Sequence, residues 1–215
     1  MKKTEQNLNL LTTIFIVTLV IANAITGKVI DTGLSLFGNP ITIAGAIICY
    51  PITYLITDVV GEIWGKAEAN KIVKHGFIGQ VIATIIIVLT TYTPYVDPEM
   101  QAAYVKLLGQ NWVFVLGSLT AYLVSQYLDV HIFHSIKEKS SKHKWIRNNV
   151  STITSQFVDT AIFITIAFGF GFGWIFDNHI ALLNMLIGQY AIKFVIALFD
   201  TPFFYLLTKG HNKEG

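Results

Sequence analysis

Residues 8–26 read LNLLTTIFIVTLVIANAIT, nineteen consecutive positions without a charge. As a helix rising 1.5 Å per residue this stretch is about 29 Å long, the thickness of a bilayer's hydrocarbon core. Apolar runs of similar length recur, and reading them gives six spans at about 8–26, 41–63, 72–92, 111–136, 149–174 and 180–208. The runs are continuous and do not alternate, so a membrane β-barrel is not expected and strands are disfavoured. The expected fold class is an all-α integral membrane protein of six transmembrane helices. Residues 1–215 then form a single transmembrane domain, with no separate soluble part. The first run is read as a retained span and not a cleaved signal, because TGKVIDTG (26–33) follows it in place of a small-residue cleavage site.

Composition agrees. Of 215 residues, 53% are apolar or aromatic and 13% charged, against roughly 25% charged in an ordinary soluble domain. The net charge of +2 is too small to suggest a nucleic-acid partner. The one cysteine, Cys49, allows no internal disulfide. Twelve of the fifteen Lys and Arg fall at the N-terminus (Lys2, Lys3), in the second loop (Lys66, Lys71, Lys74), in the fourth (Lys137, Lys139, Lys142, Lys144, Arg147) and at the C-terminus (Lys209, Lys213). The opposite side holds Lys28 and Lys106. The positive-inside rule therefore places both termini in the cytoplasm.

Ionisable and amide groups inside the spans carry the functional signal, since a carboxylate at the bilayer centre costs at least about 2.5–3.5 kcal/mol. In PITYLITDVVGEIWG (51–65), Tyr54, Asp58 and Glu62 are spaced by four and stack on one helix face. Pro51, one turn earlier, can kink that helix. The fourth and fifth spans repeat a pattern, SQYLD (125–129) and SQFVD (155–159), placing Gln126 and Tyr127 before Asp129, and Gln156 and Phe157 before Asp159. The chain turns between them, so the copies run antiparallel and can face each other. In GQYAIKFVIALFDTPFFY (188–205), Gln189, Lys193 and Asp200 form a third stripe, with Pro202 suggesting a break. Asn23 is a lone amide in the first span.

The bland reading of these groups is interhelical hydrogen bonding, structural ion pairing or, for Glu62, an interfacial position beside Lys66. Gly169 and Gly173 fit close helix packing. The six histidines are scattered, and no metal site or cofactor is expected. The sequence contains no phosphate-binding loop, nucleophile elbow or dinucleotide loop, and the chain is not expected to be an enzyme.

Four ordered blocks, PITYLITDVVGEIWG (51–65), SQYLDVHIF (125–133), RNNVSTITSQFVDTAIF (147–163) and KFVIALFDTPFFY (193–205), together with ANAITGK (22–28), resemble the queuosine precursor transporter family, also called the vitamin uptake transporter family. The resemblance implies a multi-pass inner-membrane importer of 7-deazaguanine bases, the 7-cyano and 7-aminomethyl forms salvaged for tRNA modification. Such a base presents N1–H and an exocyclic amine side by side, a carbonyl and a flat face. A carboxylate, Asp159 or Asp129, suits the first edge; Gln126, Gln156 or Lys193 suits the carbonyl; Tyr54, Trp64, Tyr127 or Phe157 suits the face. Asp58 or Glu62 suits a cationic aminomethyl group. Secondary transport is the first expectation. The alternatives are a substrate-capture subunit that needs a separate ATP-driven module, and an importer of another purine-like or vitamin-like compound. The partners expected are the small-molecule base and membrane lipid, with a homodimer left open.

Overall fold

The computed structural model describes residues 1–139 and 144–208. The side chains of Asp129 and Asp200 lie outside the described residues, as do Lys142, Lys209 and Lys213. Among the described residues, six helices are long and apolar enough to cross a membrane, at Glu5–Ile25, Gly45–Ile63, Lys66–Thr91, Pro98–Leu128, Ile153–Phe170 and His179–Ile196. The protein is a helical, multi-pass membrane protein. Large apolar side chains point outward along these helices, as Ile78, Ile82, Ile85, Ile86 and Leu89 do in the third. A water-soluble protein rarely exposes so continuous an apolar face.

Packing divides the chain into two compact units. Unit 1 comprises residues 1–30, 43–112 and 191–215. Its helices α1 (Glu5–Ile25), α2 (Tyr50–Ile63) and α3 (Lys66–Thr91) pack on one another. Leu11 and Phe15 of α1, Ile56, Val59, Val60 and Ile63 of α2, and Ile72 of α3 make the core, joined by Phe204 and Leu207 from the end of the last helix. At Gly76 of α3 a Cβ would come within 2.6 Å of the Phe15 ring, so glycine sets the closeness of α1 and α3. Pro51 stands in the first turn of α2, where its missing N–H costs nothing. It starts that helix and does not kink it.

Between the first two spans the chain forms a β-hairpin, β1 (Val29–Leu36) and β2 (Asn39–Ala44). Here the expectation of no strands fails. A membrane barrel is indeed absent among the described residues, yet two short strands pair through a two-residue turn, Phe37–Gly38. Both turn residues have positive φ, 53° and 74°, as the tight hairpin turn that matches strand twist requires. A 3₁₀ turn, Gly45–Cys49, then leads into α2. Gly45 donates its N–H to the Lys28 carbonyl at 2.8 Å. A Cβ there would lie 2.5 Å from the Ile25 carbonyl oxygen.

The fourth span is broken. Helix α4 (Pro98–Leu108), capped by Asp97, which accepts from the N–H groups of Glu99 and Met100, ends at Gly109. Helix α5 (Asn111–Lys139) begins two residues later. A Cβ on Gly109 would approach the Val105 carbonyl oxygen to 2.4 Å, so only glycine fits the join. The helical segment that holds the fourth span therefore starts upstream of residue 111, at Pro98, with the polar residues Glu99, Gln101 and Lys106 in its first part.

Unit 2 comprises residues 31–42 and 113–190. It holds most of α5, then α6 (Lys144–Ile164), a π-helical turn (Thr165–Phe170), the short α7 (Trp174–Asp177) and the first part of α8 (His179–Thr208). Phe114, Phe163, Phe168, Phe172 and Trp174 pack ring against ring. Gly173 ends this region in a left-handed conformation, φ 74°, so it serves as a stop. Helix α8 continues through Pro202 without ending there.

Asn184 of α8 is fully buried, and its Nδ2 lies 3.0, 3.1 and 3.4 Å from the carbonyl oxygens of Leu36, Asn39 and Pro40. One amide thus holds the hairpin end by its backbone. Asn184→Leu leaves those carbonyls without the donor at about 1–3 kcal/mol. A thermal-unfolding scan in detergent is expected to show a lowered transition, with the 31–42 segment gaining protease sensitivity first.

Candidate functional site

The repeated SQ-x-x-D segments meet in unit 2. The Oγ of buried Ser125 on α5 lies 3.5 Å from Oδ1 of Asp159 on α6 and 3.1 Å from its own helix's Tyr122 carbonyl, so its single proton is shared. Ser155 is also buried, and Gln156 and Asp159 are half-buried. Phe157 packs edge-on against Tyr190 of α8 at 5.5 Å, and the Tyr190 hydroxyl donates to the Ile153 carbonyl at 3.3 Å. Gln126 and Tyr127 are exposed, the latter with its ring parallel to that of His131. The serines and Asp159 therefore stand on the buried side of the helix pair, with the first copy's glutamine and tyrosine turned outward. Gln189 is fully buried within the same unit.

Unit 1 carries a second polar group. Lys193 is only 6% exposed, and its Nζ lies 4.9 Å from the centre of the Tyr50 ring. Tyr50 in turn stacks on Tyr54 at 5.6 Å. A cation over an aromatic face gains about 0.5–2 kcal/mol, most when water is excluded. Asp58 and Glu62 occupy the exposed side of α2, opposite Ile56, Val59, Val60 and Ile63. At the start of α3, Lys71 pairs with Glu68 at 2.5 Å. Asn23 is buried and donates to the Leu19 carbonyl of its own helix at 3.2 Å.

A third set was missed in the sequence. Gln80 of α3 is 2% exposed and Asn111, at the start of α5, 1%. The Thr84 hydroxyl joins them, 3.4 Å from Gln80 Nε2 and 3.0 Å from Asn111 Oδ1. The far ends of both amides, Gln80 Oε1 and Asn111 Nδ2, are buried without a hydrogen-bond partner, as is Gln110 Oε1 next along the chain. The available signal was Gln80 as a lone amide within GFIGQVIATIII (76–87). Asn111 stands at the first position of the span read at about 111–136, where a polar residue carries no signal of its own. Tyr50, Asn184 and Tyr190 were likewise passed over. The backbone partners of Asn184 and Tyr190 and the Lys193 cation over Tyr50 are distant in sequence, and no spacing rule reveals them.

Among the described residues, six helices long and apolar enough to span a membrane, some bearing buried amide and lysine side chains, define the class as a multi-pass membrane protein. The family described as "Putative vitamin uptake transporter" matches residues 44–207. A Bacillus subtilis (strain 168) protein named "Probable queuosine precursor transporter" is 33% identical over 177 residues, covering 81% of this chain and 74% of that protein. The "Queuosine precursor transporter" of Escherichia coli (strain K12) is 27% identical over 119 residues, covering 55% of this chain and 52% of that protein. A Haemophilus influenzae relative with the name "Probable queuosine precursor transporter" is 28% identical over 122 residues, or 55% of this chain and 49% of its own. No solved structure matches. The chain belongs to the vitamin uptake transporter family, which includes the queuosine precursor transporters; it is a transporter and not an enzyme.

The contact between α5 and α6 has a direct check. In a Cys49→Ser background, Ser125→Cys with Asp159→Cys is expected to be joined by a short bifunctional thiol reagent. Loss of both free thiols in a mass-shift assay is the expected readout; two thiols that stay separately reactive refute the pairing.

Proposed function

We propose that this chain imports 7-deazaguanine precursors of queuosine, the 7-cyano and 7-aminomethyl bases, across the cytoplasmic membrane by secondary transport. The similarity to the Bacillus subtilis relative, 33% over 81% of the chain, carries this reading. The clustering of basic residues supports cytoplasmic termini. Asp159, with Ser125 beside it, accepts the N1–H and exocyclic amine of the base as a bidentate pair. Gln156 is the nearby carboxamide suited to the carbonyl, and Phe157 offers an aromatic face.

The test is the queuosine content of tRNA in a bacterial strain lacking both precursor synthesis and its own importer, expressing this chain and fed nanomolar base. Restored queuosine is expected with the natural sequence. Asp159→Asn keeps the shape but supplies an amide donor where two N–H groups need an acceptor. Loss of at least about 2 kcal/mol of binding, some thirtyfold, follows. Asp159→Asn protein that is folded and still imports normally rejects the assignment. Purified chain alone in proteoliposomes is expected to move the base, whereas dependence on an ATP-driven module makes it a capture subunit.

A further inference from the structure

The buried carboxamides of unit 1 are not used by the site described above. Helix α3 runs antiparallel to α4 and the start of α5: Thr90 Oγ1 meets the Tyr104 hydroxyl at 2.5 Å, Gln101 Nε2 donates to the Thr91 carbonyl at 2.9 Å, and Thr84 meets Asn111. The last of these contacts falls at the Gly109–Gln110 break, inside the fourth apolar span Pro98–Leu128. Irregular backbone at membrane depth is tolerated where it is buried in protein or lines a cavity. Discontinuous spans are also where carriers commonly hold their substrates.

Gln80 Nε2 donates to the Thr84 hydroxyl, which in turn donates to Asn111 Oδ1. The opposite ends are therefore one acceptor and one donor. Both are sealed from solvent and have no partner. Native structures rarely leave buried polar atoms in this state, and each exception asks for an explanation. One acceptor and one donor are the complements that the N–H and C=O of a lactam require. Gln110, next in the chain to Asn111, has a further buried acceptor without a partner.

We propose that Gln80, Thr84 and Asn111, at the break between α4 and α5, form a second, uncharged station for the transported base, reading its lactam N–H and C=O. The inference rests on the proposed substrate class and adds a set of residues to it. The station is closed in this structure, and transport opens it at the Gly109–Gln110 joint. A neutral station holds the base less firmly than a carboxylate does. Weak intermediate binding is what permits onward release in multi-site conduction.

Two measurements on the full chain in lipid test it. In a Cys49→Ser background, Thr84→Cys is expected to react with a small water-soluble thiol reagent, at a rate changed at least severalfold by saturating 7-cyano-7-deazaguanine. A cysteine that stays unreactive with and without base, while a control at an exposed site reacts, overturns the proposal. In the uptake assay, the natural sequence is expected to prefer 7-cyano-7-deazaguanine over its 2-aminopurine analogue lacking the lactam. Asn111→Leu lowers that preference about tenfold, the loss of about 1.4 kcal/mol of discrimination. A folding defect lowers uptake of both compounds equally and leaves the ratio intact; an unchanged ratio therefore also overturns the proposal. Failure of the natural sequence to take up the base refutes the functional reading itself. Normal uptake with both tests negative refutes the second station alone.

Discussion

A polar group in hydrocarbon has no water to turn to, so its partner has to come from the protein or the cargo. The organisation of this chain follows from that constraint. Backbone groups are satisfied within helices, and where the chain leaves helical form a specific device takes over. The hairpin pairs its strands with each other, Asn184 serves three of its carbonyls, and Gly45 reaches the Lys28 carbonyl. Side-chain hydroxyls do the same on a smaller scale, Thr26, Thr160 and Thr208 each donating to a carbonyl four residues back. Threonine can therefore be buried in a membrane helix without an external partner.

Against that economy, three kinds of buried group carry different meanings. Asn23 bonds to its own helix and reads as structural. The Ser125–Asp159 approach joins two helices through an ionisable group, so it couples packing to a charge that a ligand can meet. The Gln80–Thr84–Asn111 chain is satisfied inside and unsatisfied at its ends. Burial alone does not separate these cases; the destination of each remaining lone pair or N–H does.

Much of the fold was legible because hydrophobic length is a direct physical signal. The six runs and the charge clusters between them are written in the sequence, and six apolar helices follow. Of the repeated SQ-x-x-D segments, the approach of Ser125 to Asp159 is the contact found between them. The hairpin was not legible, because TGKVIDTGLSLFGNPITIA (26–44) mixes polar and apolar residues with no bilayer-length run. Its Phe-Gly turn lacks the asparagine or aspartate that usually marks such a turn. The break at Gly109 was hidden by the same ambiguity, for α4 is polar enough to pass as a loop. Among the candidate residues, Lys193 was found from its charge. Its neighbour Tyr50 lies far away in sequence, and no spacing rule links the two.

The grip of Asn184 on the hairpin has a consequence for sequence variation. It reads carbonyl oxygens, which every residue possesses, and ignores the side chains of Leu36 and Asn39. The hairpin end is thus free to drift in composition while its attachment stays fixed, provided that the turn backbone keeps its shape. Relatives with unrecognisable residues in this loop can retain the same anchorage, and the amino acid to look for when comparing them is the amide on the last helix.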